Sequence, residues 1–476
     1  MSDIQIKTNE LVPLKQKMAY GSGTLTLNLL PAALGVFSAF LIVAFGMDPL
    51  LAGLLGALPR FLDAITDPIM GFITDNTNSR WGRRRPFIFI GAILSGVIFA
   101  LMWQLDPENS QNYNFYYFLI MSLLFTIGNT MYATPLVGLG YELTPDYNER
   151  THLMAFSQFM GQIAWMFVPF LWVMIPNANW FDSQAEGVNQ LAIYVAIACT
   201  LLGLLPAIFC KGIEPKHIEN TKEISIKEIG NNLFEVFRGI AQAAQNKPFV
   251  RLCAATFLIF NGFQLVASFA VFIIVYHMFA GSWGDAGWWP TWFGFASAVI
   301  TAFIVIPIVT WMADKWGKRT AFLISTGISI VGYVLKWWGF SPENPWLIFM
   351  PIPLIAFGIG GLFTLMMSMT ADVCDLDELR NGMPRKEGTF GAIYWLMVKL
   401  GQALAIFLGG VVLKLVGFEG GADVQTVETM TNLRIADIII PAFTALLAML
   451  VMFGYDITEK KARGIKAELE ERRGKL

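Results

Sequence analysis

Twelve stretches of this sequence are apolar for long enough to cross about 30 Å of hydrocarbon, a distance an α-helix covers in about 20 residues. They begin near residues 18, 48, 86, 115, 152, 190, 249, 290, 319, 346, 388 and 433. A backbone in lipid must satisfy every N–H and C=O internally, so runs of this length form helices. The chain has 476 residues, 55% hydrophobic and 14% charged, too apolar for a soluble domain of that size. Its net charge of -2 offers no basic face to a nucleic acid. Cys199, Cys210, Cys253 and Cys374 lie far apart, without the spacing of a zinc site or a secreted disulfide framework, and read as small buried hydrophobes. The first run is too long for a signal peptide and lacks a small-residue cleavage site, so it should stay attached.

An even number of crossings puts both termini on one side. Connectors carrying Arg80, Arg83, Arg84 and Arg85, then Lys315, Lys318 and Arg319, then Arg380, Arg385 and Lys386 alternate with DPENSQNYN and GSWGDAGWWP, which hold no Lys or Arg. The excess of basic residues on one side predicts that these loops and both termini are cytoplasmic. The longest connector should be cytoplasmic too, with an amphipathic helix through Ile224, Ile226, Ile229, Leu233, Val236 and Phe237. The expected layout is an all-α, multi-pass protein of a cell (inner) membrane, functional as a monomer in the bilayer. Residues 1–210 form one six-helix bundle, 211–248 the connector, 249–457 a second bundle and 458–476 a charged cytoplasmic tail.

The two halves repeat. SRWGRRRPF at 79–87 returns as DKWGKRTAF at 314–322, each joining the second and third run of its half. At the same offset LTPDYNERT falls on ELRNGMPRKEG. Two parallel six-helix repeats are the architecture of the major facilitator superfamily, whose solute sites lie midway across the bilayer at the repeat interface. Gly71, Asp75, Arg80, Arg83 and Arg84 follow the superfamily spacing G-x-x-x-D…R-x-x-R-R. The glycine would permit close helix contact, and the carboxylate and arginines would form a cytoplasmic gate by latching helix ends. The plainer alternative is that the arginines only set topology against lipid headgroups.

Residues 63–68, DAITDP, put two carboxylates inside an apolar run. Each costs roughly 2.5–3.5 kcal/mol at a bilayer centre, so the pair needs a reason. Asp63 and Asp67 are four apart and share a helix face with Arg60. Pro68 removes the donor that the carbonyl of Ala64 would normally receive. Two carboxylates, that carbonyl and the hydroxyl of Thr66 offer oxygen ligands to a small hard cation, sodium included, or a proton acceptor. An internal Arg60–Asp63 salt bridge is the bland alternative, and it leaves Asp67 unexplained. In the eleventh run Lys399 sits too far from either end to snorkel, and a buried ammonium wants a carboxylate. Displacement of Arg60 or Lys399 by the incoming cation would be a coupling event.

With these residues in place, the chain resembles the glycoside–pentoside–hexuronide:cation symporters, the melibiose-carrier type of the major facilitator superfamily. The matching residues are Tyr20-Gly21-x-Gly23 and Arg60-x-x-Asp63-Ala64-x-x-Asp67-Pro68-x-x-Gly71. Arg80-Trp81-Gly82, Thr130, Pro135, Asp146-x-x-Glu149-Arg150 and Lys399 follow in order. The resemblance implies a secondary transporter that imports a glycoside or oligosaccharide by symport with sodium or a proton and needs no organic cofactor. It implies Asp63 and Asp67 as cation ligands, Thr130 assisting, and Lys399 coupled to them.

The sugar positions depart from the pattern. Asn28 stands where that type has a carboxylate in the first helix, Ala133 where the fourth has another, and Gln158 where the fifth has an arginine. The polar residues left to meet a solute are Thr24, Asn28, Asn129, Gln158, Gln162, Asn261, Gln264, Tyr394, Trp395 and Gln402. Each alone fits interhelical hydrogen bonding. Together, amides, hydroxyls and an aromatic platform suit a polyhydroxylated solute. A proton-coupled carrier of sucrose or maltose type and a drug or lipid facilitator share the topology. A membrane enzyme would gather a nucleophile, histidines or carboxylates, whereas His152, His217 and His277 fall in separate places.

Overall fold

The computed structural model describes residues 11–144, 147–211, 224–381 and 387–473. Asp146, His217, Arg385, Lys386 and the side chain of Arg150 lie outside the described residues. Twelve helices are long and apolar enough to span a membrane, and no strand occurs among the described residues. We number the spans α1 (Leu14–Val43), α2 (Pro49–Asn76), α3 (Arg85–Met102), α4 (Gln111–Glu142), α5 (Tyr147–Phe167) and α6 (Gln184–Phe209). They continue as α7 (Lys247–Phe272), α8 (Trp283–Trp316), α9 (Lys318–Gly339), α10 (Pro345–Asn381), α11 (Glu387–Leu415) and α12 (Val427–Phe453). Large apolar side chains such as Ile120, Leu201 and Phe303 remain exposed on outer faces, as lipid contact requires.

Several helices start before the apolar signal does. α6 begins at Gln184 rather than near 190, and α12 at Val427 rather than near 433. Each opening turn is polar because it is capped: Ser183 accepts from the N–H of Glu186, and Thr426 from that of Thr429. Hydropathy sees the hydrocarbon-facing part of a helix, and capping extends the helix beyond it. Two π-helical turns, Ile273–Met278 after α7 and Thr301–Val305 within α8, left no trace in the sequence pattern.

The chain forms two compact units. The first runs to Met47 and resumes at Phe61–Phe234; the second joins Asp48–Arg60 to Glu235–Leu476, so α2 contributes to both. In the first unit α1 packs on α5 and α6, and α3 on α4 and α6. The Tyr-Gly-x-Gly opening of α1 makes this packing possible. A Cβ on Gly23 would lie 2.4 Å from the Pro206 ring, and the Tyr20 ring occupies the space where Gly140 has no side chain. Tyr132, fully buried, donates to the carbonyl of Gly23 at 2.9 Å and ties α4 to α1.

In the second unit α7 packs on α11 and α12, and α9 on α10 and α12. The first half of α2 lies against α11, with backbones nearly touching. A Cβ on Gly410 would sit 2.2 Å from the carbonyl oxygen of Pro49 and 3.0 Å from the Cα of Gly53. Beside this contact Lys414 pairs with Asp48 at 2.8 Å. Each unit repeats one device at the start of its third span. Arg85 donates to the carbonyl of Ala207 at 2.7 Å and Arg319 to that of Phe453 at 2.5 Å, so an arginine serves the last carbonyls of the sixth span in each half. Outside the spans, a helix at Ile226–Ala243 exposes Ile226, Phe234 and Phe237. A second helix, Glu459–Arg473, is strongly polar.

Candidate functional site

Asp63 and Asp67 lie one turn apart on α2, and Thr130 and Thr134 one turn apart on α4. Thr130 donates to Oδ1 of Asp63 at 3.1 Å, and Thr134 to Oδ1 of Asp67 at 3.3 Å. Parallel helices in matched register therefore form two carboxylate–hydroxyl rungs. Thr66 joins the upper rung, 3.1 Å from the Thr130 hydroxyl, and its contact with the carbonyl of Asp63 is long at 3.4 Å. Asp63 is buried and Asp67 half-buried. Each helix also carries a proline directly after the second rung, Pro68 and Pro135, which withholds a donor from the carbonyls of Ala64 and Met131.

These donors are all oxygens. Among the described residues no three His, Cys, Asp or Glu side chains converge. Hard oxygens of carboxylate, hydroxyl and carbonyl type suit an alkali or alkaline-earth cation rather than a transition metal. Two carboxylates one helical turn apart also repel. At about 6 Å and an effective dielectric near 20 the repulsion is about 3 kcal/mol, which a cation between them would relieve. Arg60 and Lys399, the basic residues expected to couple to this pair, are half-buried and belong to the second unit, whereas both aspartates belong to the first.

The basic loop differs from its expectation. Arg84 does reach Asp75, at 2.7 Å, but Asp75 is 54% exposed. The stronger partner is Glu142 at the end of α4, whose side chain is 5% exposed. Its Oε1 accepts from Arg83 at 2.6 Å and from Arg84 at 2.5 Å, tying α3 to α4. Gly138 makes room for the Arg84 guanidinium, which fills the volume a side chain would need. The expected close contact at Gly71 does not occur there, since a Cβ would meet only the Thr134 methyl at 3.9 Å. Arg80 is exposed.

The polar solute candidates fall into two groups. Thr24, Asn261 and Tyr394 hold helices together. Thr24 pairs with Ser157 of α5 at 2.9 Å, Asn261 donates to the carbonyl of Gly401 at 3.2 Å, and Tyr394 is buried in the core of the second unit. Gln158 and Gln162 are exposed, and Asn28, Gln264 and Gln402 half-exposed. Trp395 is 47% exposed and stacks on Phe363 with centroids 6.5 Å apart, an aromatic platform. Asn129, next to Thr130, has a buried amide oxygen without a partner among the described residues.

Sequence reading alone missed Thr134, Glu142, Gly138 and Ser157. Thr134 had a signal: carboxylates four apart on one helix call for partners four apart on the next. Glu142 had none, because a carboxylate at a helix end reads as solvated.

The model of the family described as MFS/sugar transport protein matches residues 19–459, nearly the whole chain. The chain belongs to that family. It is 26% identical over 467 residues to an uncharacterized symporter, YnaJ, of Bacillus subtilis (strain 168), covering 97% of this chain and 96% of that one. It is 23% identical over 437 residues to a glucuronide carrier protein homolog of Escherichia coli (strain K12), covering 90% and 89%. Among solved structures it superposes on an inward-facing, unoccupied bacterial homolog of the human lysosomal transporter Spinster, with a TM-score of 0.66 and 15% identity. That match covers 93% of this chain and 96% of the other, and it shows the facilitator fold. The chain's relatives are transporters, and this chain is a transporter rather than an enzyme.

Proposed function

We propose that this protein imports a glycoside across a cell (inner) membrane by symport with sodium, both termini being cytoplasmic and the monomer being the working unit. The observation that carries the reading is the pair of carboxylate–hydroxyl rungs, Asp63–Thr130 and Asp67–Thr134, inside apolar spans. Membership of a sugar-transport family and likeness to a symporter and a glucuronide carrier homolog support the solute class and the coupling. The ladder brings two carboxylates together in a poor dielectric. Binding of one monovalent cation halves that negative charge, and Arg60 and Lys399 are the basic groups that would respond to it. Within the first unit Asn28, Asn129, Gln158 and Gln162, and within the second Gln264, Gln402 and Trp395, are groups suited to a polyol, amides exchanging hydrogen bonds with hydroxyls and the indole packing on a C–H face.

Purified protein in liposomes decides the matter. Uptake of a panel of glycosides is measured under an inward sodium gradient, under an inward proton gradient, and with a protonophore. Accumulation that needs sodium and survives the protonophore supports the reading. Accumulation indifferent to sodium and abolished by the protonophore assigns the proton instead, and no glycoside uptake under any gradient sinks the solute class.

A further inference from the structure

The resemblance places Asp63 and Asp67 of α2 and Thr130 of α4 around the cation, and it says nothing of Thr134. The structure gives this residue a defined place. Its hydroxyl donates to Oδ1 of Asp67 at 3.3 Å, in the same register as Thr130 on Asp63 at 3.1 Å. Its methyl faces Gly71, where the absence of a side chain leaves ordinary van der Waals space. We propose that Thr134 determines cation specificity, completing with Asp67 a second rung so that one alkali-metal ion is held across both rungs by carboxylate and hydroxyl oxygens. The inference rests on the cation-site reading above and deepens it.

Three features of the geometry support the assignment. Threonine in a membrane helix ordinarily returns its hydroxyl to the carbonyl four residues back, as Thr126 does to Ser122 at 2.9 Å and Thr74 to Met70 at 2.9 Å. Thr134 and Thr130 instead turn outward to carboxylates on a neighbouring helix. Second, the sequence patterns match: Asp63-x-x-x-Asp67-Pro68 on α2 runs beside Thr130-x-x-x-Thr134-Pro135 on α4. Each proline withholds a donor from a carbonyl in the turn between the rungs, so backbone oxygens are available at that level as well. Third, a hydroxyl can donate to an empty carboxylate and, by rotating its proton away, offer a lone pair to a metal ion. That dual capacity is of no use to a proton, which needs a single acceptor. It is of use to an ion that must exchange its hydration shell for protein oxygens, and the number and spacing of those oxygens decide which ion fits.

The test compares wild type with Thr134→Val, which removes the hydroxyl, and Thr134→Ser, which keeps it. Two quantities are read. One is the sodium concentration giving half-maximal uptake, with lithium measured alongside. The other is the rise in Tm of purified protein on adding sodium chloride in place of choline chloride, which needs no transport. Thr134→Val is expected to raise the half-activating sodium concentration about tenfold or more, through the loss of one oxygen ligand to the ion. It should also change the lithium-to-sodium ratio and blunt the sodium-dependent rise in Tm. Thr134→Ser should stay within about threefold of wild type on the same scale. Sodium activation and Tm response unchanged in Thr134→Val overturn the inference. So does an equal fall in uptake for both variants at an unchanged sodium constant, since that marks a packing role. Asp67→Asn is run in parallel to separate the two readings. If it retains sodium-driven accumulation and a sodium-dependent Tm, the site itself is wrong and this inference falls with it. If Asp67→Asn loses both while Thr134→Val keeps both, the site stands and only the role of Thr134 is lost.

Discussion

Lys336 of α9 and Asp437 of α12 form an ion pair sealed inside the second unit, their side chains 0% and 1% exposed. Arg434, one turn before Asp437, donates to the carbonyl of Trp337, stacks on its ring, and leaves its Nε buried without a partner among the described residues. A dry pair of this kind gains little over apolar side chains of similar size, but removing one partner strands a charge at a cost of about 3–5 kcal/mol. Lys336→Met or Asp437→Leu alone should therefore lower Tm steeply and cut the amount of protein reaching the membrane. The double variant should recover most of both. If the double variant is as unstable as the singles, the pair is not what holds α9 to α12.

Neither member of that pair stood out in the sequence. Lys336 is three residues from the end of α9 and reads as a snorkelling lysine, and Asp437 reads as a lone acid near the start of the last run. Only tertiary packing shows that each is the reason for the other. The twelve spans were legible because length and hydropathy report directly on hydrocarbon. Asp63 and Asp67 were legible because carboxylates are anomalous there. Hydroxyl partners were less so: Thr134 and Ser157 belong to a residue type that usually bonds its own helix, and composition does not say which ones turn outward. The choice of Glu142 over Asp75 was not legible either, since it depends on which carboxylate α4 buries against the arginines.

Glu142 should matter more than the motif carboxylate. Charge-assisted hydrogen bonds from Arg83 and Arg84 to a largely buried oxygen are worth about 1.5–3 kcal/mol each, whereas an exposed pair contributes about 1 kcal/mol or less. Glu142→Gln is expected to lower Tm by several degrees and slow uptake, with Asp75→Asn close to wild type in stability. The reverse order in a thermal-unfolding series would return the principal role to Asp75.

The contact between α2 and α11 should tolerate loss of charge better than gain of volume. Burial alone would raise the carboxyl pKa of Asp48, but the hydrogen bond and charge of Lys414, with the N–H groups of Leu50 and Leu51, hold it below the usual carboxylate value. A lowered folded value contributes stability that is present above the unfolded value, near 4, and lost as pH falls through the folded one. Between about pH 5 and 8 the pair should accordingly be pH-independent. Lys414→Ala should cost about 1 kcal/mol or less. Gly410→Leu must push into the backbone at Pro49 and cannot be absorbed by a rotamer change. It should lower Tm and the amount of protein reaching the membrane by more than Lys414→Ala does. Wild-type stability in Gly410→Leu would show that the two backbones need not be this close.

The carboxylates themselves give the sharpest functional outcome. Asp63→Asn and Asp67→Asn each keep the shape of the ladder and remove one negative charge, so protein should still reach the membrane while accumulation against a gradient is lost. Downhill, cation-independent exchange of solute is the informative companion measurement. Exchange that persists while accumulation fails separates coupling from solute binding, and accumulation that persists in both variants removes the ladder from the mechanism.

The charge of the sugar is the last point. Asn28, Ala133 and Gln158 occupy the positions where the melibiose-type pattern has two carboxylates and an arginine, so the charged clamp is replaced by amides and a methyl group. Asn28 spends its amide N–H on the carbonyl of Thr24 at 2.9 Å, and Gln158 is exposed and uncharged. Amides exchange hydrogen bonds with neutral hydroxyls at little cost. A carboxylate moved from water into such surroundings needs a cationic partner, and without one it binds more weakly. Neutral glycosides should therefore compete for uptake at concentrations about tenfold lower than the matching uronides. The comparison is demanding because a relative is a glucuronide carrier homolog and because Arg60 or Lys399 could receive a carboxylate. Gln158→Arg supplies the missing cation and should narrow or invert the ratio. A wild-type preference for the uronide would show that one of the existing basic side chains already serves the solute.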